Sequence, residues 1–367
     1  MDDSRLTRRG LLTATLGGSL GVIAGCLSLE GDDTDPDGDD GEQPLEGQQL
    51  EGVYEETIDS VTLVRTFGLE DPMTGEDGEG QGQGSGFVVD DSHVVTNEHV
   101  VNGAEEVDLQ YTTGEWTATE VVGTDVVSDL AVLEVEELPE TATPLSFSDA
   151  AVEVGQEVLA IGNPFGLEGS MSRGIVSGID RSLFNPITGV SIPHAVQTDA
   201  GLNPGNSGGP LVDLAGEVIG VVNAGGGDNI GFAISAPLSQ QVVPSLIEEG
   251  EYNHPFVGVG VVTVDRIVAE ENDVPEATGV LVTDVDADGP AGDVLSGSDG
   301  TTTVRGEEIP VGGDVILEIE GDTIQDEQAF STYLALEASP GEELDLEIYR
   351  EDSTETVTVT VGERPTP

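Results

Sequence analysis

No lysine occurs in this 367-residue sequence, and its only cations besides four histidines are ten arginines, set against 73 acidic residues for a net charge of -63. Nucleic acid is thereby excluded as a natural partner, because phosphate binding needs clustered basic side chains. A single cysteine, Cys26, rules out any intrachain disulfide. Disorder throughout is excluded as well: 37% of residues are hydrophobic and they fall in strand-like runs, so the acids belong on a hydrated surface of folded domains. Such a surface is suited to concentrated salt, where screening confines self-repulsion to a few ångströms, and it reads as that of a halophile.

The first 25 residues have the layout of an export signal. "TRRGLLTATLGGSLGVIAGC" carries paired Arg8 and Arg9, an apolar stretch too brief to span a bilayer comfortably, and small residues directly before Cys26. It resembles a twin-arginine signal ending in a lipoprotein box, with Cys26 as the lipidation site and the outer face of the cell membrane as destination. A retained transmembrane anchor is the alternative. Residues 26–50 are acidic, almost without large apolar side chains, and read as a solvated tether.

From residue 51 the pattern changes to short apolar runs broken by Gly, Asp and Asn: "SVTLVRTF", "GSGFVVD", "HVVTNEHVV", "DLAVLEVE", "QEVLAIG", "GEVIGVVNA", "IGFAIS". Closely spaced strands with little helical periodicity predict an antiparallel all-β domain over residues 51–249, closed by one helix in "APLSQQVVPSLIEEGEY". Residues 255–363 read as a small α/β module. Within it "DVDADGPAGDVL" half-matches a calcium loop, but Leu295 stands where the bidentate Glu belongs and Pro290 disrupts the turn. The glycines of "GEGQGQGSG" precede a strand rather than a helix, so they do not make a phosphate cradle. No cofactor or metal is expected.

One hydroxyl residue, Ser207, sits in the glycine-rich "GLNPGNSGGPLVD". A serine becomes a nucleophile only with a base to take its proton and donors to stabilise the oxyanion it creates. His99 ends an apolar strand, at a junction where a polar side chain can face a cleft, and Asp129 abuts the apolar "LAVLEV". A carboxylate half-buried in this way needs a partner, and an imidazole N–H is a good one. The order His99, Asp129, Ser207 is that of the chymotrypsin triad. Asp125 competes as the acid, but it lies in a turn-like "GTDVVS" away from the strand; His93, His194 and His254 read as structural, lacking acid and serine segments in matching context.

With "VVTNEHVV", "SDLAVLEV", "GNSGGPL", "AIGNPFGLEGSMSRGIVSGI" and "IGFAIS" all present in order, the chain resembles the HtrA/Deg family of chymotrypsin-fold serine proteases over nearly all of residues 50–363. That resemblance implies a mainly β architecture, a double β-barrel followed by a small α/β PDZ domain. It also implies His99 as base, Asp129 as orienting acid, Ser207 as nucleophile, and the N–H groups of Gly205 and Ser207 as the oxyanion hole. Where trypsin-like relatives keep an acid, six positions before the nucleophile, this sequence has Gly201. A primary pocket of Gly201, Leu202, Ala224 and Ile230, within segments 223–227 and 230–232, predicts cleavage after small or medium aliphatic residues. The resemblance further implies ATP-independent cleavage of misfolded exported polypeptides, a homotrimer, and capture of peptide C-termini by Phe256, Val257, Gly258 and Val259 of the PDZ domain. A chaperone or peptide-binding scaffold with a latent protease site is the alternative. An esterase is disfavoured because no G-x-S-x-G elbow is present. The link "SGSDGTTTVRGEEIPVG" is longer than the family pattern and puts the carried-over groove geometry in question.

The acidic surface generates a first prediction. Thermal unfolding followed in molar potassium chloride and in dilute buffer will show the lower Tm in dilute buffer, where repulsion among carboxylates is unscreened.

Overall fold

A computed structural model describes residues 46–69, 80–163, 169–185, 189, 191–227 and 229–365; Cys26 and the signal and tether before it lie outside the described residues. Helix α1 (Glu46–Thr57) begins within the acidic stretch, and one 3-10 turn (Ile58–Ser60) leads from it into the first barrel. That barrel is built from β1 (Val61–Leu69), β2 (Gly80–Val88), β3 (His93–Thr96), β4 (Glu106–Gln110), β5 (Trp116–Asp125) and β6 (Leu130–Glu134), closed in the order β1-β2-β3-β6-β5-β4. A one-turn helix, α2 (Glu98–Val101), follows β3. The second barrel comprises β7 (Glu157–Gly162), β8 (Ser170–Phe184), β9 (Ser191–Thr198), β10 (Pro210–Val212), β11 (Val218–Gly227) and β12 (Ile230–Ser235), closed as β10-β11-β12-β9-β8-β7. All pairings in both barrels are antiparallel.

The apolar runs do not alternate with polar residues because several strands bury both faces. Val94, Ala131 and Leu133 point into the first barrel's core, while their neighbours Val95, Leu130 and Val132 join a layer with Leu159, Ile161 and Ile234 of the second. Helix α3 (Ala236–Glu248) completes that layer with Leu238, Val242 and Leu246, all buried.

After α3 comes the second module: β13 (Pro255–Phe256), β14 (Val259–Thr263), α4 (Arg266–Glu271), β15 (Val280–Val285), β16 (Gly300–Val304), β17 (Glu307–Val311), β18 (Val315–Ile319), β19 (Asp322–Thr323), α5 (Glu327–Glu337), β20 (Glu343–Arg350), β21 (Ser353–Thr360) and β22 (Gly362–Glu363). The long link read from the sequence is a separate two-stranded hairpin, β16 with β17, so it leaves the main sheet order β14-β15-β18-β20-β21 uninterrupted. Each of α4 and α5 starts on an aspartate, Asp265 and Asp326, whose carboxylate accepts from the first-turn N–H groups. Helix α5 packs back on the protease side: Ala335 and Leu336 join the layer around α3, and Gln241 Nε2 donates to the Leu336 carbonyl at 2.8 Å.

Leu246, fully buried where α3 meets the barrels, tests this layer. Leu246→Ala will lower stability by about 2–5 kcal/mol in denaturant unfolding. Val154→Ala, at a residue 62% exposed, will leave the midpoint unchanged.

Candidate active site

His99, Asp129 and Ser207 meet at the seam between the barrels. His99 lies on α2 directly after β3, Asp129 immediately precedes β6, and Ser207 sits in the turn leading into β10. Asp129 is buried, with a left-handed φ of 57°, a conformation that aspartate tolerates better than most residues. Its Oδ2 accepts from His99 Nδ1 at 2.7 Å and from Asn223 Nδ2, and its Oδ1 accepts the His99 backbone N–H at 2.9 Å. Its carbonyl takes Asn97 Nδ2 at 2.9 Å and the Glu98 N–H at 3.2 Å. Ring nitrogen Nδ1 is thereby fixed as the donor, which leaves Nε2 as the acceptor of the neutral imidazole. Among the described residues, Nε2 bonds to no protein atom.

Ser207 Oγ donates to the Asn223 carbonyl at 2.6 Å rather than to His99. Asn223 therefore holds the acid with its side chain and the nucleophile with its backbone. The turn before Ser207 closes with the Asn206 N–H donating to the Asn203 carbonyl at 3.0 Å, and Gly205 has φ 102°. Proline at the second position and positive φ at the third define a type II turn, which requires a residue like glycine there. Among the described residues, neither the Gly205 nor the Ser207 N–H donates to a protein acceptor. Ser85 fastens this turn to the first barrel: its Oγ donates to the Gly205 carbonyl at 2.6 Å, and its N–H to the Ser207 carbonyl at 2.7 Å. A Cβ on Gly208 would come within 2.1 Å of the Ser85 carbonyl oxygen, so no larger residue fits after the serine.

Burial pulls the His99 pKa down, but the hydrogen bond and charge of Asp129, with the charge of Glu98, outweigh it and leave the imidazole above its ordinary 6.5. For Glu98 every large contribution except the His99 charge acts upward: burial first, then the charges of Asp129 and Asp125, and its carboxyl is raised.

Of the predicted primary-pocket residues, Gly201, Leu202 and Ile230 line one cavity of about 350 Å³ with Ala200, Asn203, Gly227 and Asn229. Ala224 pairs with Phe232 in the β11–β12 ladder, and its side chain lies outside the described residues. Phe256, Val257, Gly258 and Val259 line a cavity of about 380 Å³ together with Phe330 and Leu334 of α5, and its wall is completed by residues outside the second module, among them Val127, Ser128, Pro193 and Leu238.

Each remaining histidine has a carboxylate partner. His93 bonds Asp90 in a turn at 2.7 Å, and His254 Nε2 bonds Asp125 Oδ2 at 2.7 Å. His194 lies between Asp180, 3.1 Å from Nε2, and Ser235, 2.8 Å from Nδ1. This second acid-histidine-serine set presents no nucleophile, because Ser235 is buried at the start of α3. Asp125 is likewise not in an open turn; it ends β5, buried, where Ser128 also donates to it. Ser85 was missed as a site residue, and Asn223, placed only within the pocket-wall segment 223–227, was missed as the partner of Asp129 and Ser207. Asn223 follows an apolar run, as Asp129 precedes one, and that shared signal could have singled it out.

Two closed six-stranded barrels with this seam, followed by a sheet-and-helix module, define a trypsin-like peptidase fold joined to a PDZ domain. Residues 84–221 match the trypsin-like peptidase domain family and residues 254–361 the PDZ domain family. The chain belongs to the HtrA family. Among solved structures it is similar to the HtrA-type protease AlgW with tripeptide, at 31% identity and TM-score 0.69, covering 86% of this chain and 98% of that one. The serine endoprotease from Yersinia pestis is 25% identical with TM-score 0.59, over 88% of this chain and all of that one. Curated relatives include a probable periplasmic serine endoprotease DegP-like from Halomonas elongata, 35% identical over 87% of this chain. Protease Do-like 1, chloroplastic, from Arabidopsis thaliana is 36% identical over 78% of this chain. The chain spans 64% of the length of each of these two relatives.

The His99–Asp129 pairing sets a titration. A histidine raised above its unfolded pKa contributes stability that is fully present below about 6.5 and is lost as pH rises through the folded value. NMR titration of the imidazole will show the His99 pKa falling in Asp129→Asn and, by a smaller step, in Glu98→Gln.

Proposed function

We propose that this chain is a serine endopeptidase in which His99, Asp129 and Ser207 are the catalytic residues and the Gly205 and Ser207 N–H groups form the oxyanion hole. The observation that carries the reading is the shared hold on one buried carboxylate: Asp129 takes both His99 and Asn223, and Asn223 takes Ser207. For attack, the Ser207 hydroxyl turns from the Asn223 carbonyl to His99 Nε2 and gives up its proton there as the oxygen bonds to the scissile carbonyl carbon. The oxyanion accepts from the two free N–H groups. His99 then passes its proton to the departing amine, and a water activated in the same way hydrolyses the acyl-serine. Asp129 holds the ring in this orientation and stabilises the imidazolium.

Gly201, Leu202, Ala224 and Ile230 are proposed as the primary pocket, with a preference for small or medium aliphatic side chains. Supporting this, the cavity at Gly201, Leu202 and Ile230 has no described acidic side chain on its wall. Substrates are proposed to be unfolded exported polypeptides, with the groove at Phe256, Val257, Gly258 and Val259 taking chain ends; AlgW has been solved with a tripeptide and with a decapeptide. The domains are proposed as residues 51–249 for the protease and 255–363 for the PDZ domain. Lipidation at Cys26, twin-arginine export, a halophilic source and a homotrimer complete the proposal. Relatives named periplasmic are consistent with export, and no helix among the described residues is long and apolar enough to cross a membrane. One observation favours a second reading, a binding protein latent at rest: Ser207 is bonded to Asn223 rather than to His99.

Degradation of unfolded casein in molar salt separates the two. Parent protein will cleave it and Ser207→Ala will be slower by about 10⁴–10⁶-fold; equal rates for both would sink the protease reading.

A further inference from the structure

Ser85 is wholly buried, and its N–H, its carbonyl and its hydroxyl all have partners. Strand β3 pairs with β2 only at Phe87 and Val88, so the Ser85 N–H lies beyond the end of that ladder and donates to the Ser207 carbonyl at 2.7 Å. Its own carbonyl accepts from Thr96 Oγ1 at 2.8 Å, at the end of the strand that leads to His99. Its hydroxyl accepts the Asn163 N–H at 2.9 Å and donates to the Gly205 carbonyl at 2.6 Å. A hydroxyl carries one proton; the Asn163 nitrogen is itself a donor and the Gly205 oxygen only accepts, so that proton lies toward Gly205. A Cβ on Gly162 would come within 2.9 Å of the hydroxyl, so β7 leaves just the room that Oγ fills.

Gly205 and Ser207 are the residues whose N–H groups are assigned above to the oxyanion hole, and Ser85 holds each of them by its carbonyl. It does so from the first barrel, which also carries His99, whereas the turn bearing Ser207 belongs to the second. The spacing between the base and the two oxyanion donors therefore runs through this one residue. We propose that Ser85 is a positioning residue of the oxyanion hole. Being wholly buried, it is out of reach of substrate, and it acts by keeping the Gly205 and Ser207 N–H groups where the tetrahedral oxyanion forms. The proposal rests on the reading of His99, Asp129 and Ser207 as a catalytic site. Donors of this kind stabilise charge that exists only after attack, so a displaced turn weakens the transition state and spares the bound substrate.

The test uses the full chain in molar salt and two inhibitors built on the same peptide, Ala-Ala-Val trifluoromethyl ketone and the corresponding trifluoromethyl alcohol. With the ketone, Ser207 Oγ adds to the carbonyl carbon, the C=O π pair moves to its oxygen, and the hydroxyl proton passes to His99 Nε2, leaving an oxyanion in the hole. The alcohol occupies the same subsites and forms no oxyanion. Inhibition constants, unlike rates, do not depend on the fraction of molecules folded. Ser85→Ala will weaken the ketone about 10–100-fold and leave the alcohol unchanged, and on a peptide p-nitroanilide kcat will fall with KM unaltered. Ser85→Cys, which keeps a weaker donor at the same place, will fall between parent and Ser85→Ala, so the assignment does not hang on the folding of the alanine variant. A ketone constant unchanged in both variants, or ketone and alcohol weakened alike, overturns the role of Ser85 and leaves the triad standing. A parent protein that binds the ketone no tighter than the alcohol overturns the reading of the site, and this proposal with it.

Discussion

The Asp129 carboxylate is the group on which the site depends. It is buried, and a buried charge is tolerable only when its oxygens are occupied by donors. The donors come from both halves of the molecule: His99 from the first barrel, Asn223 from β11 of the second. His99 supplies a donor to each oxygen from within the first barrel, and Asn223 adds a further one to Oδ2 from the second. Removing one partner of such a group costs on the order of 3–5 kcal/mol, so the bond from Asn223 ties the acid of the first barrel to the second. Ser85 extends the coupling, since the turn bearing Ser207 is bonded to a strand of the opposite barrel.

The distribution of charge follows the same rule. With 73 acids to place, the chain buries few of its described ones, and Asp125, Asp129 and Asp314 are each met by strong donors: His254, His99 with Asn223, and Arg350. Glu98 departs from it. No described donor reaches its carboxyl, and burial beside Asp129 raises its pKa, so the exception stands next to the histidine that most benefits from nearby negative charge.

How much could be read beforehand follows from how local each signal is. His99, Asp129 and Ser207 are single polar residues abutting apolar or glycine-rich runs, and their chain order restricts the chemistry. The two barrels were legible as spaced apolar runs, although the closure of each, β1 on β4 and β7 on β10, depends on register that no single run encodes. The Asp125–His254 pair was not legible, because its members are 129 residues apart and each has an ordinary neighbourhood. Ser85 was hidden in a glycine-rich strand where a hydroxyl looks like any solvated one. The β16–β17 hairpin passed for a stretched link because its threonines and glutamates do not declare which face is covered.

The turn Asn203–Asn206 has one further property. Type I and type II turns share the same closing hydrogen bond and differ chiefly in the orientation of the central peptide plane, here the one joining Pro204 to Gly205. Glycine permits both. Rotating that plane reverses the Gly205 N–H while the closing hydrogen bond from Asn206 to Asn203 is kept. Which way the Gly205 amide faces is therefore a single torsional choice, made at one glycine, within a turn whose closing bond is indifferent to it.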